Sequence, residues 1–515
     1  MKKIAPSKFA PSCALLLSLA LAAPLSAESL SLKTGEDKVV TEWWDWSDAS
    51  KWSPSVSEVA GNDLSVDINN GGQTLNSTIN PGFRAGDVSI KVANPTNHVY
   101  FDVEGDAVFD SLSVGQNSKD YYGTYIRVLT GSTLTVNGDV NVSPSSPYAA
   151  NAISLGHNHS DYGGSFHIGG NLNLNANIGD AWYDLIFNTN NAFIVDGTVN
   201  TTEVQNGRQF GVIWKIGGET TRIGGLQGSN LYGYNKLSIS ESKGDRTLTF
   251  TNKAGTTASW SGAIENGGNR FNIVMDESAA GSQDLDIVSG TVNDIALKGG
   301  IFYISSVSAT TGTLSIDGGF YNAKGSGAKF AAIDLSSGGF IFESGALENG
   351  YEVSAGEISK SGTEKIVVDF NGLYAPEYYG YEFVLISADA VDETIDLENA
   401  NGDFAAANLY DGYAIFKWVE NEGKYALSVT FSEVPEPAAG RHAPRSGRPV
   451  FRSPQKEGVD ARKGDKIQNL SGGGESFEAA LFCDSAAQLR LKKRAITPYN
   501  AGEIFFRRKK SSEGK

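Results

Sequence analysis

Leu134-Thr-Val-Asn-Gly-Asp-Val-Asn-Val142 recurs in altered form as Phe166-His-Ile-Gly-Gly-Asn-Leu-Asn-Leu174 and Phe193-Ile-Val-Asp-Gly-Thr-Val-Asn-Thr201, at spacings of 32 and 27 residues. In each copy apolar residues alternate with polar ones, the period-two pattern of a strand with one buried face. The central glycine or Asn-Gly allows the positive φ of a sharp corner. The order is kept from copy to copy, so these stretches form an internal repeat.

A shorter apolar element comes before each copy: Leu112-Ser-Val-Gly115, Ile153-Ser-Leu-Gly156 and Leu185-Ile-Phe187. One such unit cannot bury its apolar face alone, whereas stacked units share a continuous core and satisfy their backbone groups between coils. The sequence therefore predicts an all-β chain built on a right-handed parallel β-solenoid, or β-helix. The alternative is a β-sandwich or a set of hairpins, in which Asn-Gly marks a hairpin turn.

The same rhythm of short strand, Gly or Ser turn and short strand continues to about residue 360, so we assign residues 28–360 to the solenoid. Its later strands are expected at residues 285–288, 295–297, 301–304, 314–318, 333–335 and 340–342. Longer aromatic strands follow, as in Tyr381-Glu-Phe-Val-Leu-Ile386. They predict a small antiparallel β-domain over residues 361–432, which covers a strand edge that would otherwise favour aggregation.

The amino terminus is typical of a secretory signal peptide over residues 1–27. A start with three lysines precedes an apolar run over residues 14–23, and small residues follow it. We predict cleavage between Ala27 and Glu28, and export. A membrane helix is the alternative, but the run is only about half of the roughly 20 residues that a span needs. Cys13 lies before the run, whereas a lipidated cysteine should follow it.

Composition and charge separate two regions. Glycine makes up 60 of 515 residues, about 12% against a usual 7%, which suits turn-rich β-structure. Residues 441–515 carry a net charge of +9, which leaves −26 on residues 1–440. The acidic body argues against a nucleic-acid surface. Only Cys483 remains after signal removal, so no intramolecular disulfide is expected.

Two short motifs carry a resemblance to a known class of protein. Trp43-Trp-Asp-Trp-Ser-Asp-Ala-Ser-Lys-Trp52 lies near the start, and Val434, Pro435, Glu436 and Pro437 directly follow the last predicted strand. These motifs are similar to the exported proteins of Verrucomicrobia-like and other Gram-negative bacteria that combine an autotransporter-like β-solenoid with a PEP-CTERM sorting tail. The resemblance implies a sorting motif at residues 433–440 and a membrane-embedded sorting protease as partner.

The chain departs from that family after Pro437. The family has a single apolar helix and an arginine cluster there, whereas no stretch of this tail is long enough to span a bilayer. We interpret residues 441–515 as a disordered basic tail foreign to the family, arising for example from a frameshift. The functional alternative is a basic arm that binds acidic polysaccharide, DNA or anionic lipid through Lys492-Lys-Arg494 and Arg507-Arg-Lys-Lys510.

Few residues are candidates for chemistry. Asp161, Asp184 and Asp196 could approach one another on adjacent coils, but acidic residues at glycine-rich corners are more often turn formers. His157 and His159 lie close enough to Asp161 for a shared metal ion, against the commoner case of incidental histidines in a loop. The tryptophans of the amino-terminal motif either cap the first coil or form a sugar-stacking platform, and capping is favoured.

We therefore expect a non-enzymatic structural or adhesin-like protein at the cell surface or in an extracellular matrix. It has no catalytic residue, metal or cofactor, no transmembrane helix in the mature chain, no nucleic-acid partner, and extracellular polysaccharide as a possible ligand. The rival hypothesis is a secreted polysaccharide lyase or hydrolase on the same scaffold. A groove with converging carboxylates would favour the enzyme, and smooth faces with isolated acids the structural protein.

Overall fold

A computed structural model of the protein describes most of the residues between 28 and 433. The described residues are 28–32, 44–54, 56–69, 75–93, 98–117, 123–144, 153–156, 163–176, 186–188, 192–203, 213–216, 220–229, 235–239, 244–305, 312–325 and 328–433. They are nearly all β-structure, as the sequence predicts, and no helix among them exceeds five residues. Ala27, the motif Val434 to Pro437 and residues 441–515 lie outside the described residues.

The strands are short and follow one another closely along the chain. Those of the amino-terminal half are β1 Ser29–Leu32, β2 Trp44–Asp45, β3 Trp52–Ser53, β4 Asp63–Asn69, β5 Leu75–Ile79, β6 Arg84–Ala93, β7 Val99–Val103, β8 Ala107–Asn117, β9 Thr124–Val128, β10 Thr133–Val136, β11 Val140–Pro144, β12 Ile153–Gly156, β13 Ser165–Ile168, β14 Leu172–Ala176, β15 Ile186–Asn188, β16 Ala192–Glu203, β17 Ile213–Ile216 and β18 Thr220–Gly228.

The strands of the carboxyl-terminal half are β19 Lys236–Ile239, β20 Arg246–Phe250, β21 Thr257–Glu265, β22 Phe271–Met275, β23 Ser282–Ser289, β24 Ile295–Leu297, β25 Ile301–Ser305, β26 Thr313–Asn322, β27 Lys329–Ile341, β28 Val353–Lys360, β29 Ile366–Tyr374, β30 Glu382–Val391, β31 Phe404–Tyr410, β32 Tyr413–Asn421 and β33 Lys424–Ser432. Two short α-helices, α1 Ser344–Glu348 and α2 Ala400–Asp403, and two 3₁₀ helices, Ala49–Lys51 and Ala375–Tyr378, interrupt them.

Parallel pairing between strands about one repeat apart dominates the main sheet. Pairs of this kind run from β1 with β4 to β29 with β31. They stack apolar side chains into columns at the strand spacing of about 4.8 Å. One column is at most 1% exposed to solvent and consists of Leu64, Val88, Leu112, Val140, Leu172, Val199 and Leu226. Because these buried side chains follow one another from strand to strand, the core extends continuously along the stack. Each of them stabilises the fold by about 1.5–3 kcal/mol on burial.

The internal repeat found in the sequence is the stacking register itself. Leu134 pairs with Phe166, and Phe166 pairs with Phe193, as the alignment of the three copies predicts. The second halves match equally, because Val140 pairs with Leu172 and Leu172 pairs with Val199. The central glycines allow this close stacking: a Cβ on Gly169 would lie 2.5 Å from the carbonyl oxygen of Asn137.

The alignment of the shorter elements was wrong in one case. Residues 112–115 do not stack on Ile153–Gly156, because Leu112 pairs with Val140 in the main sheet. Ile153–Gly156 pairs instead with β9 and β15 in a second parallel sheet, formed by β2, β5, β7, β9, β12 and β15. Leu-Ser-Val-Gly and Ile-Ser-Leu-Gly have the same alternation, so the alternation alone does not tell which sheet each joins.

The carboxyl-terminal section mixes parallel and antiparallel pairing. Antiparallel pairs join β33 to β30 and β32, as predicted for the aromatic strands. The connection from β32 to β33 is a two-residue turn with positive φ at Glu422 and Gly423, which a tight hairpin requires. However, β28 pairs in parallel with β30, and β29 with β31, so parallel stacking crosses the predicted domain boundary at residue 360.

Candidate functional site

The tryptophan motif forms a buried cluster at the amino-terminal end. Trp46 and Trp52 are fully buried and Trp44 is 6% exposed. The Trp46 indole N–H donates to Ser77 Oγ at 3.0 Å, and the Trp52 indole N–H donates to the Trp46 carbonyl at 3.0 Å. This packing agrees with the capping interpretation. No ring face of these three tryptophans is open to a sugar, so the stacking platform is wrong for them; Trp43 lies outside the described residues.

The structure places Asp196 beside a histidine. His167 Nε2 lies 3.0 Å from Asp196 Oδ2, and both side chains are about half exposed. Asp161, Asp184, His157 and His159 lie outside the described residues. Within the ranges that the structure describes, no group of three or more His, Cys, Asp or Glu side chains is arranged to hold a metal ion.

Other acidic side chains have a clear structural task at the corners of the stack. Asp63 Oδ1 accepts a hydrogen bond from the Asp87 backbone N–H at 2.8 Å. Asp139 Oδ1 accepts one from Asn171 at 2.7 Å, and Asp294 Oδ1 accepts one from Thr313 at 2.9 Å. Each carboxylate therefore satisfies a backbone donor beside the neighbouring parallel strand, which is the structural role expected for acids at glycine-rich corners.

An uncharged polar column follows the outer face of the main sheet, beside the apolar column. We call these eight residues the polar column; they are paired in register and consist of Ser31, Ser65, Ser89, Ser113, Asn141, Asn173, Asn200 and Gln227. Its amides are linked, because Asn173 Nδ2 donates to Asn141 Oδ1 at 2.9 Å and Asn200 Nδ2 donates to Asn173 Oδ1 at 2.6 Å. The asparagines are half-buried.

A polar groove opens at the carboxyl-terminal end of the polar column, with a volume of about 530 Å³. Its floor is held by Thr201, whose Oγ1 donates to the Gln227 carbonyl at 3.1 Å and accepts from Asn235 Nδ2 at 2.9 Å. No charged side chain is among the described residues that line it, which are Asn173, Asn200, Thr201, Gln227, Gly228, Ser229 and Ser259. The described lining therefore offers amides, hydroxyls and backbone groups to a ligand.

Sequence reasoning missed this groove, although its signal was present. Asn141, Asn173 and Asn200 occupy the same position of the three repeat copies, each between two residues that alternate into the core. The repeat therefore predicted a stack of asparagines once the copies were placed in register. Gln227 was missed because Thr221–Gly228 keeps the Ile-Gly-Gly corner of the repeat but is one residue shorter, so the pairing shifts register there.

The second sheet carries a buried ion pair on the side opposite its apolar residues. Arg127 Nε and Nη2 each lie 2.5 Å from a carboxylate oxygen of Asp102. The guanidinium is 4.0 Å from the centre of the Tyr100 ring, which stacks on Tyr125 at 5.2 Å. Burial raises the pKa of both tyrosines. Because Asp102 and Arg127 are more than 90% buried, this cluster supports the sheet and is not an open binding surface.

A second groove, of about 490 Å³, lies in the carboxyl-terminal section and has three glutamates in its lining. Glu352, Glu382 and Glu422 contribute to its lining. Glu352 Oε1 accepts a hydrogen bond from Ser387 Oγ at 3.0 Å, and Glu382 Oε1 accepts one from Ser428 Oγ at 2.6 Å. These serines belong to β30 and β33, so two of the carboxylates are tied to neighbouring strands.

None of the helices in the described part of the chain has the length and apolar character needed to cross a bilayer. In a comparison with known proteins, no protein-family model matches this chain, and no curated protein is detectably similar to it.

Proposed function

We propose that the chain is an exported, non-enzymatic structural or adhesin-like protein of the cell surface or extracellular matrix, built on a right-handed parallel β-solenoid. The observation that carries the proposal is the sequence of parallel pairs from Ser29 to Tyr410. Parallel neighbours need a crossover connection rather than a tight turn. Successive crossovers of about one repeat length stack coils, and a right-handed crossover is strongly preferred in parallel sheets.

The two ends of the described region support an exported stack. Glu28, the first residue of the predicted mature chain, donates its backbone N–H to Asn62 Oδ1 at 3.1 Å, so this residue is part of the described fold. At the other end β33 stops at Ser432, and Val434 follows two residues later. A sorting motif that directly follows the last strand would suit recognition by a membrane protease.

Fractionation of the native host tests the proposal. Intact cells and culture medium are probed with an antibody against the body, with and without external protease, and both mature ends are mapped by mass spectrometry. We expect surface or extracellular protein that begins at Glu28 and ends near Val434 to Pro437. Protein that stays in the cytoplasm with residues 1–27 attached would contradict export, and intact peptides from residues 507–515 on extracellular protein would contradict sorting.

The second candidate is a secreted polysaccharide hydrolase or lyase, and the glutamate groove is the observation that favours it. Release of reducing ends from acidic and neutral polysaccharides tests it directly. Activity that is lost in Glu352→Gln and Glu382→Gln, but kept in the exposed control Glu364→Gln, would establish the enzyme. If wild-type protein releases no reducing ends, or both variants retain them, the groove is not catalytic and the structural proposal stands.

A further inference from the structure

We propose that the polar groove binds a neutral polysaccharide chain, which lies along the polar column and exchanges hydrogen bonds with its amides and hydroxyls. The inference rests on the proposed surface function and names its ligand class. The groove volume of about 530 Å³ lies within the usual range of about 300–1,000 Å³ for small-molecule sites.

The hydrogen-bonding capacity of the column suits sugar hydroxyls. A carboxamide has two N–H donors and an oxygen with two lone pairs. Asn173 donates one N–H to Asn141 and accepts one hydrogen bond from Asn200 through its side-chain oxygen. Its second N–H and the second lone pair of its oxygen can therefore bind a ligand. The ladder also fixes the orientation of each amide in advance, which lowers the cost of ordering these side chains on binding.

The spacing of the column suits a repeating ligand. Successive column residues lie on neighbouring parallel strands, about 4.8 Å apart. This distance is close to the length of one sugar residue in an extended polysaccharide. Asn173, Asn200 and Gln227 therefore present equivalent donors and acceptors to successive sugars, and a longer chain can continue over Asn141 toward the serines.

Charge selects a neutral ligand. The eight positions of the polar column carry no ionisable group, although residues 1–440 have a net charge of −26. Beyond Ser259 the next in-register residue is Asp284, whose carboxylate pairs with Lys324 at 2.5 Å. The acidic body repels an anionic polysaccharide, and none of the described residues that line the groove has a carboxylate to attract a cationic one.

Binding of defined oligosaccharides to the full chain tests the inference. The neutral probes are cellohexaose and xylohexaose, and hexagalacturonate is the acidic one, each measured by calorimetry at low and high salt. We expect binding of a neutral probe that salt does not change, because uncharged contacts are not screened. Gln227→Ala and Asn200→Asp should weaken it about tenfold, as loss of one or two hydrogen bonds predicts.

Asn76→Ala is the matched control, because it removes an amide from a strand of the second sheet; it should leave binding unchanged. Failure of both neutral probes to bind, preference for hexagalacturonate, or equal binding by wild type and both groove variants would overturn the inference. Thermal unfolding of each variant verifies that it folds. Normal surface labelling of cells that carry Gln227→Ala separates this inference from the proposed function, which such a loss of binding leaves intact.

Discussion

Arg127 donates two hydrogen bonds of 2.5 Å to Asp102 on the neighbouring strand of the second sheet. The side chain of Arg127 is 10% exposed and that of Asp102 is 4% exposed. The guanidinium also lies 4.0 Å from the Tyr100 ring. In such a site each charge has lost most of its hydration and depends on its partner. The pair therefore ties β7 to β9 in a way that a surface ion pair cannot.

Asp102→Asn should destabilise the protein strongly, because it keeps the size of the side chain and removes the carboxylate that binds the buried Arg127 guanidinium through two hydrogen bonds. Breaking a buried pair in this way costs about 3–5 kcal/mol. Urea unfolding followed by circular dichroism measures the loss. The matched control is Asp389→Asn, since Asp389 pairs with Lys424 at 3.3 Å with side chains 52% and 74% exposed. Equal effects of the two substitutions would contradict the buried role of Asp102.

Trp46 should be the tryptophan on which the amino-terminal end depends most. It is fully buried, stacks on Trp44 at 5.6 Å and contacts Phe101 edge-on at 5.8 Å. Trp46→Ala removes this packing and should cost about 3–5 kcal/mol. Thermal unfolding measures the effect, with Tyr410→Ala as control because Tyr410 is 62% exposed. A small loss for Trp46→Ala would mean that the cluster is not the cap we infer.

The sequence predicted the stacking register well where two signals coincided. The copies that begin at Leu134, Phe166 and Phe193 share both the apolar alternation and the corner residues, and they pair as aligned. Residues 112–115 share only the alternation, which occurs in both sheets, and their alignment was wrong. A period-two pattern identifies a strand but not the strand that pairs with it, because the pairing also depends on how many residues separate the two strands.

The polar interactions were harder to predict than the apolar core. The Asp102–Arg127 pair joins residues 25 apart, and neither residue has a sequence signal that distinguishes it from a surface charge. The His167–Asp196 contact likewise joins residues 29 apart, on strands that pair at an offset of 27 residues. The asparagines of the polar column are part of the repeat, but only the strand register shows that they lie side by side on one face.

His98 should make stability depend on pH. The Gly123 backbone N–H donates to His98 Nδ1 at 3.0 Å, so this nitrogen must be unprotonated, and burial lowers the pKa of His98 below its ordinary 6.5. The unfolded chain therefore takes up a proton first as pH falls. The His98 contribution is fully present above about pH 6.5 and is lost as the pH falls toward the folded-state pKa.

Melting temperatures measured from pH 8 down to pH 5 test this sign. Wild type should lose stability across that interval, whereas His98→Asn should lose less because its side chain does not titrate. His167→Asn is the control for a histidine at an exposed position, 41% accessible. The assignment fails if His98→Asn keeps the full wild-type pH dependence, or if stability rises as the pH falls.

A substitution at Gly339 tests how closely the parallel strands approach one another. It lies between Phe320 and Val367 in the parallel stack, and a Cβ at this position would lie 1.8 Å from the Val367 carbonyl oxygen. The obstacle is backbone, which cannot rotate away as a side chain would. Gly339→Ala must therefore separate β27 from β29, and overpacking of this kind costs about 1–3 kcal/mol.

The same substitution at Gly345 should have the opposite sign. Gly345 lies in α1, where a Cβ would have no neighbouring atom within 4 Å, and alanine is favoured over glycine in a helix by up to about 1 kcal/mol. Comparing the two variants by urea unfolding cancels the general effect of a Gly→Ala change on the unfolded chain. If Gly339→Ala proves as stable as Gly345→Ala, β27 and β29 have room to separate, and the inference of tight parallel packing at this position is wrong.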